Sequence, residues 1–578
     1  MTGNMLRSRL AALFTLLTFA AACPQPPDTP QLPNVTASGY LNIGAGDGEA
    51  DSSNDPAGGG AALGKPSRSP RLFFLFYEAA SGAHDATPIT LWLQGGPGCA
   101  SLFGALYELG PELVDDQLGL VPNPGAWNRK SALLFIDQPV GVGFSTPGQR
   151  RRIPRDEMTL AADLYAGLQA FFQRFPDLQA RPLVIAGESY AGKYVPSIGH
   201  FILQQSTAPN GTLPTGSTAG SSRAGSLRLT ERRPVPPELL AARPLLAQPP
   251  LFRLAGLAIG NGLTDPATQV MSHADVAFYG GFIDPRQRLR AMAMQLETVQ
   301  LITAGLWDEA HALRNNLLEH IRASSGVATL LDMRRYEDYD AAHLVDCYLN
   351  LPAVKEALGA DPAITFESCS AAVGDALGPD VMRSVKHLVP DLLAAGLPLL
   401  LYQGMHDAQD GPASFSAWIY SLYWEGKAKF VGAQRHVVRA RQVEEDEAEA
   451  AAVGAARGTS SALLLPGRWA AQQPRGSAAG RATNPSDDGG PGDSAAASKR
   501  RGGPGEAAVA YWKAGGGLSH VVLTRAGHMT PRDDPATTRW MLERWLAESV
   551  LASGRAGAGG TRDKSPRWEN TGQEIAAA

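Results

Sequence analysis

Short, almost wholly apolar runs recur along the chain, each bounded by polar or Gly/Pro-rich residues. They fall at 72–77, 89–93, 133–136, 183–186, 254–259, 397–402 and 520–523. Runs this short that lack an alternating polar face predict strands buried on both sides. Between several of them lie stretches with helical periodicity, notably 160–175, 388–395 and 537–549. Strands alternating with helices predict an α/β fold, with a largely parallel central sheet covered on both faces.

Other segments break the pattern. Residues 1–22 carry Arg7 and Arg9, then an apolar stretch ending in Ala20-Ala21-Ala22, the form of a secretory signal peptide too short for a membrane span. Cys23 follows at once, so a lipoprotein signal is an alternative. Residues 23–68 read as a loosely ordered lead-in, 69–550 as the folded domain and 551–578 as a disordered tail. Within the domain, 206–250 and 441–506 are low-complexity inserts, too poor in apolar residues to bury a core. The second holds the acidic run Glu444-Glu445-Asp446-Glu447 and the basic run Lys499-Arg500-Arg501. A third insert, 272–346, has helical periodicity and reads as a lid.

The chemistry starts at Gly187-Glu188-Ser189-Tyr190-Ala191-Gly192, which follows an apolar strand and precedes a helix-like segment. This is the pattern of a nucleophile elbow, where a serine at a sharp strand-to-helix turn projects its hydroxyl out of the sheet. Taken alone, the hexapeptide also fits a tight turn with a buried serine. Downstream, the strand at 397–402 leads to Asp407 and Asp410, and the strand at 520–523 leads to His528. The order Ser, Asp, His is that of α/β-hydrolases. A serine needs a base to take its proton, and the base needs an acid to hold its tautomer. By itself His528 also fits a surface-loop histidine, and either aspartate could serve as the acid.

Composition narrows the partners. A formal charge of −5 over 578 residues leaves no basic footprint for nucleic acid, and Arg150-Arg151-Arg152 with Arg155 reads as a solvated loop face. Beyond the leader no run is long enough to span a membrane. No cysteine pair or His/Cys cluster has zinc-ligand spacing, so neither metal nor cofactor is expected. If the leader is cut at or just after Ala22, only Cys99, Cys347 and Cys369 matter to the folded domain, and an odd count leaves a thiol over. Asn34-Val35-Thr36 and Asn210-Gly211-Thr212 are glycosylation sequons.

Several long segments resemble the serine carboxypeptidases, and within them the plant serine carboxypeptidase-like group. These are 92–99 (Trp-Leu-Gln-Gly-Gly-Pro-Gly-Cys), 107–111, 134–145, the elbow extended through Lys193-Tyr194-Val195-Pro196, Gly260-Asn261-Gly262 and 527–531. The resemblance spans roughly 70–550 apart from the low-complexity inserts. It implies an α/β-hydrolase fold and an enzyme that releases C-terminal residues through an acyl-enzyme, favoured at acidic pH. It implies Ser189 as nucleophile, His528 as base and Asp407, three residues after Gly404, as the acid; Asp410-Gly411 then looks like a turn. Gly96 and Tyr190 would supply the oxyanion-hole N–H groups, and Gln94, Gly95, Glu108 and Glu188 would bind the substrate's carboxylate. Gln94 departs from the family's commoner asparagine, and its extra methylene could shift that carboxylate. Two acids brought together and partly buried favour keeping a proton, which can then be donated to a carboxylate ligand.

The resemblance also implies a Cys99–Cys369 bridge, which leaves Cys347 as a buried free thiol. It implies peptide and protein C-termini as partners and an extracellular or vacuolar/lysosomal location, and it leaves room for a homodimer. Two rivals use the same fold: an acyltransferase, which Glu188 disfavours because such enzymes tend to carry aspartate before the serine, and a non-catalytic binding or protective protein.

Overall fold

The computed structural model describes residues 23–44, 69–148, 153–207, 244–339, 342–456 and 507–552. The expected leader, the Asn210 sequon, Arg150-Arg151-Arg152, Lys499-Arg500-Arg501 and the tail beyond 552 lie outside them. A ten-stranded sheet runs β1 (Ala37–Asn42), β2 (Arg71–Tyr77), β6 (Ala132–Asp137), β3 (Ile89–Leu93), β7 (Pro182–Glu188), β8 (Arg253–Gly260), β9 (Leu399–Gly404), β12 (Leu518–Leu523), β11 (Ala508–Gly515) and β10 (His436–Arg439). A separate small ribbon pairs β4 (Glu112–Val114) with β5 (Leu120–Pro122). From β6 across to β12 every pairing is parallel, whereas the outer pairs on both sides are antiparallel.

The apolar runs form this parallel centre for the reason their composition suggests. Every residue of β3, β7 and β9 is buried, because helices such as α1 (Ser101–Tyr107), α2 (Glu157–Arg174) and α3 (Ala191–Thr207) cover the sheet. Parallel strands send all their carboxyl ends to one edge, where the loops that carry chemistry gather.

Four expectations need correction. The insert at 206–250 does join the core at its end, where Leu246 is buried and Tyr165 OH donates to Gln248 O at 2.7 Å. The lead-in at 23–68 is not loose throughout, since residues 37–42 pair with β2 as an edge strand. Strand β1 escaped the apolar pattern because an edge position buries little of its polar sequence. Cys347 is not a free thiol: it is bridged to Cys23, and the described residues hold no free cysteine. Lastly, the insert at 441–506 is folded in its first part. Helix Ala440–Ala456 carries the acidic run, and Asp446 accepts a hydrogen bond from Trp540 Nε1 at 2.7 Å while Glu447 pairs with Arg539. Cationic and indole donors from the packed domain hold a segment that has little apolar surface of its own.

The insert at 272–346 is helical as expected, with α4 (His273–Tyr279), α5 (Pro285–Thr303) and α6 (Trp307–Ser325) preceding α7 (Ala342–Leu349). It packs a satellite core of its own around Ala291, Leu317, Ile321 and Met333. The link after α6 meets the sheet's loops through the backbone: His528 N–H donates to Leu331 O, Ala408 N–H to Leu330 O, and Met333 N–H to His406 O. Among the described residues no helix is long and apolar enough to cross a membrane.

Candidate active site

Glu188 is the last residue of β7 and helix α3 starts at Ala191, so Ser189 occupies the turn between them. Its φ of +64° lies in the left-handed region that a β-carbon disfavours. Neighbouring backbone secures it: Ser189 N–H donates to Gly260 O at 3.0 Å, and Ser189 O accepts from Leu263 N–H at 2.9 Å. The serine is half-buried.

Asp407 follows β9 and His528 follows β12, the adjacent parallel strand. His528 Nδ1 lies 2.7 Å from Asp407 Oδ2, with both residues buried. The same oxygen accepts from Asn261 Nδ2 at 2.7 Å, while Oδ1 accepts the N–H groups of Gln409 and Asp410 at 2.8 and 3.1 Å. Asn261 Oδ1 in turn accepts from Gly404 N–H, so this one side chain ties the ends of β8 and β9 together beside the acid. Burial lowers the imidazole's affinity for a proton, but the Asp407 carboxylate, helped by Asp410 and Glu108, outweighs it and leaves His528 above its ordinary value.

Asp410 is not a simple turn residue. It is buried, accepts from Gln269 Nε2 and Gln409 Nε2, and lies 3.8 Å from the guanidinium of Arg314 on α6. Burial pushes its carboxyl up despite Arg314. The acid in contact with His528 is Asp407.

On the other side of the elbow, Gln94, Glu108 and Glu188 meet. Gln94 Nε2 donates to Glu108 Oε1 at 3.1 Å and to Glu188 Oε1 at 3.0 Å, while Trp92 Nε1 donates to Gln94 Oε1 at 2.8 Å and so orients the amide. All three polar residues are buried, and beyond that amide Glu108 and Glu188 have only each other. Burial raises Glu108 to about 7, and burial together with the Glu108 charge raises Glu188 well above the ordinary carboxyl range.

The glycine loop brings this cluster against the elbow. A β-carbon on Gly95 would lie 2.6 Å from both Glu188 O and Tyr190 N, so only glycine lets the two backbones approach this closely. Gly96 follows at φ +111°. The loop is pinned by the Cys99–Cys369 disulfide, which joins it to a segment 270 residues away, with Ala100 N–H donating to Ser368 O and Ser370 N–H to Gly98 O. Below the elbow, Tyr190 OH donates to Asp380 Oδ2 at 2.9 Å, and Asp380 also pairs with the buried Lys193.

The structure thus gathers Asp407, His528 and Ser189 at the carboxyl ends of β9, β12 and β7, and brings Gln94, Gly95, Glu108 and Glu188 together beside the elbow. Sequence reasoning missed the parts played by Trp92, Asn261, Asp380 and Arg314. Asn261 stood inside a recognised Gly-Asn-Gly segment at a strand end and Trp92 opened the recognised 92–99 segment, which were the available signals; Asp380 and Arg314 had none. Asn34 is exposed just before β1, so its sequon is accessible.

A family model described as serine carboxypeptidase matches residues 62–214 and 243–458. Serine carboxypeptidase-like 50 from Arabidopsis thaliana is 33% identical over 543 residues, covering 93% of this chain and 94% of that protein. Serine carboxypeptidase 3 from Hordeum vulgare is 30% identical over 370 residues, covering 62% of this chain and 65% of its own. Among solved structures, Kex1(delta)p, a prohormone-processing carboxypeptidase from Saccharomyces cerevisiae, superposes with a TM-score of 0.59 at 21% identity, over 88% of this chain and 91% of that one, and shares the α/β-hydrolase fold. With most of its length matched by the family and by a full-length plant relative, the chain belongs to the serine carboxypeptidase family.

Proposed function

We propose that the protein removes C-terminal residues from peptides with Ser189 as nucleophile, His528 as general base and Asp407 as the acid that orients it. The observation that carries this reading is the buried Gln94–Glu108–Glu188 cluster packed against the elbow, where burial favours the protonated carboxyls that can donate to a carboxylate ligand. A protonated carboxyl and the Gln94 amide are donors, and a peptide's terminal carboxylate is an acceptor.

With that carboxylate held by Gln94, Gly95 N–H, Glu108 and Glu188, the last peptide bond lies over Ser189. Its Oγ attacks the carbonyl carbon as its proton passes to His528 Nε2, and Asp407 stabilises the imidazolium through Nδ1. The backbone N–H groups of Gly96 and Tyr190 receive the developing oxyanion. His528 then gives its proton to the leaving amino group, the C–N bond breaks, and an ester to Ser189 remains. Water, deprotonated by His528, attacks this ester and frees the shortened peptide and the serine.

The two bridges suit an oxidising compartment, which supports passage through the secretory pathway to an extracellular or vacuolar/lysosomal site. Cys23 engaged with Cys347 leaves no thiol for lipid attachment and disfavours the lipoprotein alternative. The test compares a blocked dipeptide with its C-terminal amide and with an acyl-ester donor, alongside labelling by a fluorophosphonate. Turnover of the free acid well above the amide is expected. Transfer from the ester without release of amino acids would favour the acyltransferase, and no labelling would favour a binding protein.

A further inference from the structure

Beside the Glu108 cluster lies a cavity of about 310 Å³ lined by Tyr107, Arg334, Arg335, Tyr339, Arg525, Arg532 and Asp533. Three parts of the molecule build it. Tyr107 ends α1 and immediately precedes Glu108; Arg525, Arg532 and Asp533 flank His528; Arg334, Arg335 and Tyr339 come from the link between α6 and α7. Four arginines line it against one acid, Asp533, with Asp332 paired to Arg334 and Asp534 near Arg525 behind them, so the cavity keeps a positive excess.

Only one of the four is spent on a carboxylate. Arg334 pairs with Asp332 and donates to Arg525 O. Among the described residues no ion pair engages Arg335, Arg525 or Arg532. Arg335 stacks 4.1 Å above the Tyr339 ring and spends one Nη on Asp338 O at 3.3 Å, and Arg532 stacks 4.4 Å above Tyr107; the stacking fixes each guanidinium plane and leaves the other donors for a ligand. Arg335 Nε is buried without a partner. The one acid, Asp533, is occupied through Oδ2 by Gly527 N–H at 2.7 Å and the Tyr339 hydroxyl at 3.3 Å.

We propose that this cavity receives the side chain of the released C-terminal residue and selects an acidic one, aspartate or glutamate. The inference rests on the carboxypeptidase reading above. A C-terminal residue carries its carboxylate and its side chain on one Cα, so a carboxylate held at Glu108 puts the side chain within about 5 Å of that point, and the cavity lining begins at Tyr107, the residue next to Glu108 in the chain. An arginine fork matches a carboxylate in shape and charge, and it remains charged at every pH where the enzyme works.

The test measures kcat/KM for blocked dipeptides that share their first residue and end in Glu, Gln, Leu or Lys. Glu should exceed its uncharged isostere Gln by about tenfold or more, with Lys lowest. Arg335→Gln and Arg532→Gln should each lower the Glu/Gln ratio several-fold, and Arg532→Lys, which keeps the charge, should restore part of it. A wild-type ratio near one, with both peptides turned over, overturns the pocket assignment alone. So does a ratio unchanged in both arginine variants. Failure to hydrolyse any of the four peptides overturns the carboxypeptidase reading and this assignment with it.

Discussion

Asp407 and the pair Glu108 and Glu188 are buried to nearly the same degree on two sides of one serine, yet their surroundings differ. Asp407 accepts four N–H hydrogen bonds, from Asn261, His528, Gln409 and Asp410. Glu108 and Glu188 share a single amide and otherwise have only each other. Burial alone therefore does not decide what a carboxyl does in this site; the number of donors aimed at it does. The first arrangement suits an acceptor that stabilises an imidazolium. The second suits a donor that grips an anion.

The sharpest test removes the shared element. Ser189→Ala should abolish fluorophosphonate labelling and lower kcat by roughly a thousandfold or more, with the fold retained. Asp407→Asn should follow closely, with a loss on the order of 10³–10⁴ in kcat, because an amide cannot hold His528 in the productive tautomer. Asp410→Asn should cost far less, since Asp410 faces Arg314 rather than the imidazole. A reversed ranking in steady-state kinetics would mean that the acid is misassigned.

A smaller effect separates the clusters by pH. Peptide kcat/KM should fall as pH rises through about 7, where Glu108 ionises, by up to about tenfold per unit. Hydrolysis of an ester or amidated substrate, which has no carboxylate to be repelled, should persist to higher pH, limited on the acid side by His528 with its raised proton affinity. Glu108→Gln should remove much of the alkaline decline for peptides, because an amide donates at every pH. Coincident wild-type profiles for peptide and ester would sink the carboxylate-binding assignment while leaving the triad standing.

The smallest effect concerns stability. Glu108 moves from 4.5 to about 7 on folding and Asp137 from 3.8 to about 7, both chiefly by burial. The native state thus holds more protons than the unfolded chain, so the stability these groups allow is full below about 4 and is lost as pH rises through 7. His273, His311 and His520 are depressed by burial to about 3, 4 and 4, and they destabilise the fold as pH falls below 6.5. The melting temperature should therefore peak in the mildly acidic range, and Glu108→Gln should lessen its drop between pH 5 and 8. A flat profile in that variant and the wild type alike would show that water reaches these carboxyls.

Much of this site was legible from the chain alone. Ser189, Asp407 and His528 each stand just after an apolar run, and strands buried on both faces must be apolar throughout, so their ends are easy to see. Edge elements were not. Strands β1 and β10 bury few side chains, and the acidic helix at 440–456 buries little beyond Ala440 and Val443 and is held by Trp540 and Arg539 of the helix at 535–545. The fate of Cys347 was hidden for a related reason, since its partner Cys23 stands at the proposed leader junction and 324 residues away.

Local sequence by itself determined the parallel sheet, the elbow and the order of the candidate catalytic groups, because strand burial and a tight turn depend on residues close in the chain. Only the tertiary structure decided which aspartate meets the imidazole, which acids keep a proton and which arginines are left without a carboxylate. Those outcomes depend on the donors and charges that distant segments bring within about 4 Å, where the balance between desolvation and pairing is struck.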